Sequence, residues 1–478
     1  GGAADIRGES QGEFLTRVSA GGLGCIGKDR IGMNDVSADL GLFIGKSWRV
    51  GEGRDAHVVV DPASGDAIGS VPLATAADLD EALDGAARAF PAWRSTDVDT
   101  RGAILRRTAA LLRERTEAIA TILTREQGKP LAEARGELAG SAQMFDFFAE
   151  EARRNYGRVL VRPTGQRSIV MQEPVGPVAA FSPWNFPVYL MAKKLAPALA
   201  AGCSVIAKPP EETPGCTAAL MQCLIDAGLP AGVCQSVHGV PDMVSRHLLA
   251  SPVIRKLSFT GSVPVGRHLM HLAADGLKRV TMELGGHAPV LVFDDCNLDT
   301  TLDMLVAQKF RNAGQVCVSP TRFYVQESLY ERFLAGFAAR TAALRVGNGL
   351  SPDTQMGPLA NRRRPDAVAM LVDDAQARGA RLLTGGARDT QGFFFRPTVL
   401  ADVPDDAAIM SNEPFGPVAA IRPFAGEEDA IEAANRLPYG LAAFLFTENG
   451  RRANRLADAI EAGMVGINSF AISTADAP

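Results

Sequence analysis

The chain has 478 residues, of which 46% are hydrophobic and 22% are charged, and its formal net charge is −5 at pH 7. This length predicts two or three domains with well-filled cores, and the mild acidity argues against nucleic acid or an anionic membrane surface as the main partner. The seven cysteines lack paired spacing and the six histidines lack zinc-type spacing, so we expect neither a secreted disulfide framework nor a metal site.

Residues 1–35 are glycine-rich and aperiodic, and we expect them to form a flexible extension. They contain a G-x-G-x-x-G pattern from Gly22 to Gly27, but no strand precedes it and no apolar helix follows it, so we do not interpret it as a nucleotide site. The same stretch lacks the apolar core of a signal peptide, and no apolar run in the chain is as long as a membrane span. These features favour a cytoplasmic protein.

The first part of the chain is predicted to be mainly helical. A helix begins near Thr75, where Thr75 and Asp78 have the spacing of a capping pair, and helical patterns continue over residues 100–155. Two strand-like runs at 157–161 and 168–172, separated by turn residues, then predict an exposed β-hairpin.

Residues 176–283 alternate regularly between strand and helix. The predicted strands cover residues 178–181, 203–208, 233–238, 254–259 and 278–282, and the predicted helices cover residues 188–201, 215–227, 242–250 and a segment from 262. This alternation predicts an α/β fold with a parallel sheet and helices on both faces. A second α/β unit follows Gly286 and continues to about residue 465.

Several polar residues fall beyond the carboxyl ends of these strands, where doubly wound sheets bind ligands. Lys208 and Glu211 follow one strand, and Gly261 and Ser262 follow another and open a helix. Free amide groups and the positive end of the helix dipole could meet a pyrophosphate there. From these residues alone, a simple strand-to-helix turn remains the alternative.

Cys317 is the candidate nucleophile. A helix over residues 301–311 is predicted by its apolar stripe, Gly314 would end it, and a strand over 322–325 follows, so the sulfur lies on a loop held at both ends. The alternative is a small buried hydrophobic residue.

Two further residues could act with this cysteine. Glu283 falls at a strand end before two glycines that permit close backbone approach, and Asn185 lies in a loop stiffened by Pro183 and Pro187. Taken singly, they could be a solvated acid and an ordinary loop residue.

The segments around these residues resemble the NAD(P)-dependent aldehyde dehydrogenase superfamily, in the family's order from about residue 36 to the end. The matching segments are Pro183 to Pro187, Lys208 to Pro214, Phe259 to Ser262, Met282 to Gly286, Asn312 to Cys317 and Asn412 to Pro417. The resemblance implies a Rossmann-type NAD-binding domain over 36–153 and 174–284, an oligomerisation hairpin over 154–173, a catalytic domain over 285–465, and a segment over 466–478 that returns toward the active site.

The resemblance also implies the chemistry. The thiolate of Cys317 adds to the aldehyde, Asn185 and the Cys317 amide stabilise the oxyanion, and hydride passes to NAD. Glu283 then activates the water that hydrolyses the thioester.

The same resemblance assigns cofactor contacts. Lys208 and Glu211 would contact the adenosine ribose, where a carboxylate favours NAD over NADP. The further contacts it implies are Pro183, Trp184, Gly261, Ser262 and Val265 along the dinucleotide, and Glu413 and Phe415 near the nicotinamide ribose. From the sequence alone, Phe415 would be a core residue and Glu413 a surface acid.

Within the superfamily, the chain looks most like the succinate-semialdehyde dehydrogenases. Arg322 and Ser473 match positions that hold the substrate carboxylate, and Lys193 stands where an arginine is usual, which loses the bidentate fork. We therefore expect succinate semialdehyde or a similar ω-carboxylated aldehyde. As alternatives, Lys193 could face solvent and Arg322 could pair with an acid in the fold.

Other functions remain open at this point: a broad-range aldehyde dehydrogenase, a CoA-acylating relative, or a catalytically silent nucleotide-binding protein. The resemblance implies a homodimer or homotetramer. Family members continue beyond the position of Pro478, so we expect either an omitted tail or a truncated chain.

Overall fold

The computed structural model describes residues 40–51 and 53–476. Our expectations for residues 1–35, including the glycine pattern within them, lie outside the described residues.

The described ranges contain strands in four regions: an amino-terminal part, a hairpin and two α/β units. In chain order they are β1 Leu42–Ile44, β2 Ser47–Arg49, β3 Ala56–Val60, β4 Ala67–Pro72, β5 Arg158–Val161, β6 Arg167–Val170, β7 Val178–Phe181, β8 Val205–Lys208, β9 Cys234–Ser236, β10 Lys256–Gly261, β11 Arg279–Leu284, β12 Ala288–Val292, β13 Pro320–Gln326, β14 Arg381–Thr384, β15 Thr398–Ala401, β16 Val418–Phe424, β17 Ala442–Phe446 and β18 Met464–Ile467.

The helices follow the predicted pattern. They are α1 Ala76–Ser95, α2 Val98–Glu114, α3 Thr116–Gln127, α4 Leu131–Glu151, α5 Pro187–Ala200, α6 Pro214–Asp226, α7 Pro241–Ala250, α8 Val263–Asp275, α9 Leu298–Phe310, α10 Tyr330–Ala342, α11 Arg363–Ala377, α12 Glu427–Asn435 and α13 Gly450–Ala459. Short 3-10 turns cover 152–154, 311–314, 327–329 and 408–410.

The first sheet has the strand order β11-β10-β7-β8-β9-β1-β2. The five strands from β11 to β9 are parallel, which confirms the alternation predicted for residues 176–283. The sequence did not reveal that β1 and β2 extend this sheet. β1 pairs antiparallel with β9 through Phe43 and Ser236, a contact between distant segments that no local pattern encodes.

This strand order creates a crevice. Within the sheet, β8 and β9 lie on one side of β7, whereas β10 and β11 lie on its other side. Where connections diverge in this way, the helices leave a crevice at the carboxyl ends of the strands. The loops after β7 and β10 therefore border the natural ligand position.

The second sheet has the order β14-β15-β16-β13-β12-β17-β18 and is parallel except for β14 against β15. Its core includes an aromatic group in which the Phe323 and Phe333 rings pack against Phe337. Only residues 285–287 separate β11 of the first sheet from β12 of the second. The carboxyl edge of the first sheet is therefore held against the amino edge of the second.

Local predictions were confirmed at several points. The Asp78 amide donates to Thr75 Oγ1 at 3.3 Å and the Thr75 amide donates to Asp78 Oδ2 at 2.8 Å, a complete capping box. The hairpin of β5 and β6 forms its own two-stranded sheet.

Within residues 40–51 and 53–476, every helix is too short or too polar to cross a bilayer. The same part of the chain contains no group of three or more His, Cys, Asp and Glu side chains placed to hold a metal ion.

Candidate active site

Cys317 lies in a tight turn that joins α9 to β13. The Ser319 amide donates to the Val316 carbonyl oxygen at 2.9 Å and closes the turn. Before it, Asn312, Ala313 and Gly314 have φ values of 50°, 52° and 72°, a conformation that is unfavourable for residues with side chains. A side chain at Gly314 would also collide with the backbone of Gly416. The thiol is consequently presented, partly exposed, from a rigid segment.

Two carboxylates are close enough to this thiol to affect its pKa. The pKa of Cys317 is raised to about 11, mainly by burial and in smaller part by the negative charges of Glu413 and, less strongly, Glu283, while backbone amides oppose the rise. The thiol is therefore protonated at neutral pH in this state. Both acids lie within electrostatic reach of the sulfur, so three distant segments share one cleft.

Asn185 is attached directly to the segment that carries the cysteine. Its side-chain Nδ2 donates to the Gln315 carbonyl oxygen at 3.0 Å, and Asn312 Nδ2 donates to the Asn185 carbonyl oxygen at 2.9 Å. The Asn185 Oδ1 atom is buried and has no hydrogen-bond partner. A buried polar atom without a partner is unusual, and it marks this side chain as a candidate ligand contact.

Glu283 lies at the end of β11, opposite Thr260 of β10, with its side chain partly exposed. A Cβ atom at Gly286 would lie 2.7 Å from the Cys317 carbonyl oxygen, and a Cβ atom at Gly285 would collide with the Glu413 carboxylate. The two glycines thus allow the end of β11 to touch both neighbouring segments, as their position in the sequence predicts.

Lys194 is a member of this cleft that the sequence analysis missed. Its Nζ atom donates to Thr260 Oγ1 at 2.7 Å, and the residue is buried on α5. Burial lowers its pKa to about 7, and Glu283 partly opposes this shift. Sequence periodicity does not distinguish Lys194 from the adjacent Lys193, so only the fold reveals which of them faces inward.

The crevice beside this cleft has the features of a dinucleotide site. Helix α8 begins at Val263, its N-cap Ser262 makes no side-chain capping bond, and Val265 is 46% exposed. The first amides of α8 are therefore available to a pyrophosphate. Across the crevice, the Trp184 and Phe415 rings meet edge to face with centroids 5.5 Å apart.

Lys208 and Glu211 form an ion pair of 2.5 Å at the carboxyl end of β8. Burial would raise the pKa of Glu211, but the charge and hydrogen bond of Lys208, with smaller help from His238, together outweigh burial and lower the pKa, so Glu211 is ionised at neutral pH. The Gly239 amide also donates to Glu211 Oε1 at 3.4 Å. An ionised carboxylate with an uncapped helix start nearby suits a ribose hydroxyl and a pyrophosphate, so the residues present fit a nicotinamide dinucleotide.

Glu413 is not the surface acid that its sequence context alone suggests. Burial raises its pKa to about 7, while the Gly286 amide, Arg364 and Lys309 oppose the rise. Arg364 also donates to the Phe415 carbonyl oxygen at 3.0 Å, which fixes the loop that follows Glu413. Phe415 is only partly buried and faces the crevice through its contact with Trp184.

Arg322 does not lie where a substrate carboxylate would bind. It is fully buried in β13, and its guanidinium donates to the carbonyl oxygens of His287, Ala433 and Ala434, each at 3.0 Å. The last two carbonyls belong to the carboxyl-terminal turn of α12. The guanidinium thus supports the fold, as in the structural alternative, although its partners are carbonyls and not an acid.

The other predicted substrate residues have different surroundings. Ser473 is exposed in the carboxyl-terminal segment, and Lys193 is partly buried on α5. Arg311, which the sequence analysis treated only as the end of a helix, is exposed directly before Asn312, and its Cζ atom lies 5.1 Å from the Phe186 ring centroid. Among the ion pairs of the described ranges, none includes Lys193 or Arg311.

Comparison with known proteins supplies further findings. Residues 48–478 match the Aldehyde dehydrogenase family. The chain is 50% identical to 4-(hydroxymethyl)benzenesulfonate dehydrogenase TsaD1 of Comamonas testosteroni and 42% identical to succinate-semialdehyde dehydrogenase [NADP(+)] GabD of Escherichia coli, in both cases over 91% of each chain. A crystal structure of succinate-semialdehyde dehydrogenase from Burkholderia pseudomallei superposes with a TM-score of 0.89 at 42% identity, with 91% of each chain covered.

The electrostatics of Cys317 predict how its alkylation depends on pH. Because the pKa is raised to about 11, the thiolate fraction grows with pH, and the rate of labelling by iodoacetamide should rise about tenfold per unit between pH 7 and 9. Glu413→Gln removes a nearby negative charge and should speed labelling at pH 8.5. Peptide mapping by mass spectrometry measures the rate at Cys317 alone.

Glu428→Gln, which changes an exposed acid on α12, is the matched control and should leave the labelling rate unchanged. A pH-independent rate at Cys317, or equal rates in Glu413→Gln and the control, would contradict this account of the cleft.

Proposed function

Because the chain belongs to the aldehyde dehydrogenase family, we propose that it oxidises an aldehyde bearing an anionic group to the carboxylic acid, with Cys317 as nucleophile, Asn185 as oxyanion donor and Glu283 as general base. The single observation that carries this assignment is the shared cleft. Glu283 lies within electrostatic reach of the Cys317 thiol, and the Asn185 side chain donates a hydrogen bond to Gln315, two residues before Cys317.

The first step needs a nucleophile and a donor already in place. The partly exposed Cys317 thiol loses its proton to solvent, and the resulting thiolate adds to the carbonyl carbon. The negative charge that develops on oxygen is stabilised by the second N–H of Asn185 Nδ2, whose first N–H is bonded to Gln315, and by the Cys317 backbone N–H. One such donor contributes about 3 kcal/mol to the transition state. Bound NAD(P)⁺ supplies the acceptor for the hydride, and a thioester on Cys317 remains.

Hydrolysis of the thioester needs a base that can reach water. Glu283 is partly exposed at the end of β11, so it can take a proton from a water molecule that attacks the thioester carbon and releases the acid and the thiolate. Lys194, buried close to Glu283, is positioned to influence the charge of this carboxylate.

Replacing the base should separate the two halves of the reaction. Glu283→Gln should release about one equivalent of NADH per site in a rapid burst and then turn over at least about 100-fold more slowly, since removal of a general base costs that order of rate. Mass spectrometry should detect the acylated Cys317 peptide. Glu448→Gln, an exposed acid, is the control; full steady-state turnover in Glu283→Gln would refute the assignment.

The anionic substrate is supported by two cations beside the reacting groups. Arg311 stands next to Asn312 on the segment leading to Cys317, and Lys193 lies on α5, the helix that follows Asn185. Neither takes part in an ion pair among the described residues, although the charge of Arg311 also acts on the partly buried Glu133, and we propose that both can meet a ligand. A cation without a protein partner near a ligand cleft favours a ligand that carries the opposite charge.

The names of the relatives support the same class with two different anions, a sulfonate in the Comamonas protein and a carboxylate in the semialdehyde dehydrogenases. A cysteine nucleophile requires a carbonyl carbon, so the aldehyde formed by oxidising a hydroxymethyl group fits this cleft better than the alcohol. We therefore propose 4-formylbenzenesulfonate and succinate semialdehyde as the first substrates to compare.

Neutralising Arg311 should reveal this preference. Arg311→Gln should raise KM for both anionic aldehydes about 10- to 100-fold, because a hydrogen bond to a charged group contributes about 1.5–3 kcal/mol. KM for uncharged benzaldehyde should change little in the same variant. Arg332→Gln, on the exposed side of α10, is the matched control. An equal rise in KM for benzaldehyde would sink the proposal.

We propose NAD over NADP as the cofactor, although one relative carries NADP(+) in its name. The support is Glu211, whose carboxylate is ionised and would repel a 2′-phosphate. Lys208 neutralises part of that charge, so we expect a preference and not strict exclusion.

Removing the charge at residue 211 should shift the cofactor ratio. Glu211→Gln should raise the ratio of kcat/KM for NADP to that for NAD at least about tenfold, since it removes a repulsion and leaves Lys208 free to meet a phosphate. Glu212→Gln tests the neighbouring acid, which lies 3.7 Å from Arg363. If this ratio shifts more in Glu212→Gln than in Glu211→Gln, Glu211 is not the residue that selects the cofactor.

The rival classes have less support. A CoA-acylating enzyme or a silent nucleotide-binding protein does not need a carboxylate within electrostatic reach of the thiol, and Glu283 stands there. A product assay with and without CoA separates the first rival from hydrolysis.

We also propose that residues 36–153 and 174–284 form the dinucleotide domain, residues 285–465 the catalytic domain, and residues 154–173 an assembly hairpin of a homodimer or homotetramer. Three apolar residues of the hairpin are largely exposed to solvent: Val159 is 64% exposed, Val161 91% and Ile169 68%. They form an apolar surface suited to a partner subunit. A cytoplasmic location is consistent with the free state of the six cysteines in the described ranges.

A further inference from the structure

A buried ion pair lies behind the loop that carries Asn185. Lys129, between α3 and α4, and Glu137, on α4, approach at 2.6 Å, and neither side chain is exposed. Burying two charges is unfavourable unless each charge also has strong hydrogen-bond partners. The other contacts of this pair therefore decide what it does in the fold.

The other partners of both charges belong to the Asn185 loop and the start of α5. Lys129 Nζ donates to the Asn185 carbonyl oxygen at 2.7 Å and lies 3.9 Å from the Phe186 ring centroid. Glu137 Oε1 accepts from the amides of Val188 and Tyr189 at 2.9 and 3.1 Å.

Those two amides are in the first turn of α5, whose N-cap Phe186 provides no side-chain cap. A carboxylate at a helix start satisfies free amides and complements the dipole. Glu137 therefore replaces the missing cap and fixes where α5 begins, immediately after Asn185.

The Asn185 carbonyl oxygen is held from two sides. Lys129 binds it from the α3–α4 junction, and Asn312 binds it at 2.9 Å from the segment before Cys317. Helix α4 also holds that second segment, because Glu133 Oε2 accepts from the Asn312 amide at 2.8 Å. The backbone of Asn185 is thus fixed relative to both the helix and the cysteine.

We propose that Lys129 and Glu137 are positioning residues that set the Asn185 side chain at the place where negative charge develops in the reaction. This inference rests on the proposed function, in which Asn185 is the oxyanion donor. Neither residue touches the substrate in this account; the pair acts through Asn185.

The test uses the double variant Lys129→Met/Glu137→Gln in the full chain. It removes both charges together, keeps the side-chain volumes similar and leaves an amide oxygen at residue 137 to accept from Val188 and Tyr189. The variant should remain folded with kcat lowered about 10- to 100-fold, the order expected when a donor is misplaced by a fraction of an ångström to an ångström. KM for the aldehyde should change less than about threefold.

A second readout needs no cofactor. Acylation of Cys317 by p-nitrophenyl acetate, with release of p-nitrophenolate, also passes through an oxyanion and should slow by the same factor. Arg115→Met/Asp226→Asn, which removes a 2.7 Å ion pair between the α2–α3 junction and α6, is the matched control. It should lower the melting temperature without changing either rate.

Combination with Asn185→Ala decides between positioning and general support of the fold. If the pair acts through Asn185, the double variant should change kcat less than about threefold in the Asn185→Ala background. The same 10- to 100-fold loss in that background, or unchanged kcat in the double variant alone, would overturn the proposal. Full activity of Asn185→Ala by itself would instead refute the proposed oxyanion donor. Should the double variant fail to fold, Glu137→Gln carries the same comparison.

Discussion

The short connection between the two sheets is the constraint on which the site depends. Residues 285–287 are all that separates the last strand of the first sheet from the first strand of the second, so the carboxyl edge of one must face the amino edge of the other. Glycines at 285 and 286 are required because side chains there would meet Glu413 and the Cys317 turn. A ligand bound at the carboxyl ends of the strands of the first sheet would therefore have one end close to the cysteine.

That closeness has an electrostatic consequence. The cleft gathers buried groups of both signs: burial brings the pKa of Lys194, Lys309 and Glu413 to about 7 each, and Cys317 is protonated at neutral pH. Groups with such shifts respond strongly to any new charge in a cleft of low polarity. Burial keeps the thiol protonated with the help of the two carboxylates, and a cationic nicotinamide ring would oppose the contribution of the carboxylates. The protonated thiol is poorly nucleophilic in this state.

The sequence predicted the fold better than it predicted the surroundings of individual site residues. Strand and helix positions from residue 178 to 284 follow from local periodicity, and Gly314 and the pair after Glu283 follow from conformational needs that only glycine meets. The family resemblance is confirmed by the match over residues 48–478. The burial of Arg322 could not be predicted because it depends on side-chain direction in the second sheet. Arg311, which we propose as a substrate contact, was not singled out because a helix-ending residue has no periodic signal. The pairing of β1 with β9 could not be predicted either, since it joins segments almost two hundred positions apart.

Arg311 and Arg322 stand on either side of the Cys317 turn and have contrasting surroundings. Arg322 lies inside β13, and its guanidinium donates to three carbonyl oxygens and to the Tyr324 hydroxyl. Two of these carbonyls are at the end of α12, so the side chain stabilises that helix end. Arg311 precedes three residues with positive φ that turn the chain away from α9, and that turn leaves its side chain exposed over Phe186. The strained segment that leads to Cys317 therefore begins with an exposed cation. A ligand with an anion at one end and a carbonyl at the other satisfies both features at once, which is why we favour an anionic aldehyde over an uncharged one.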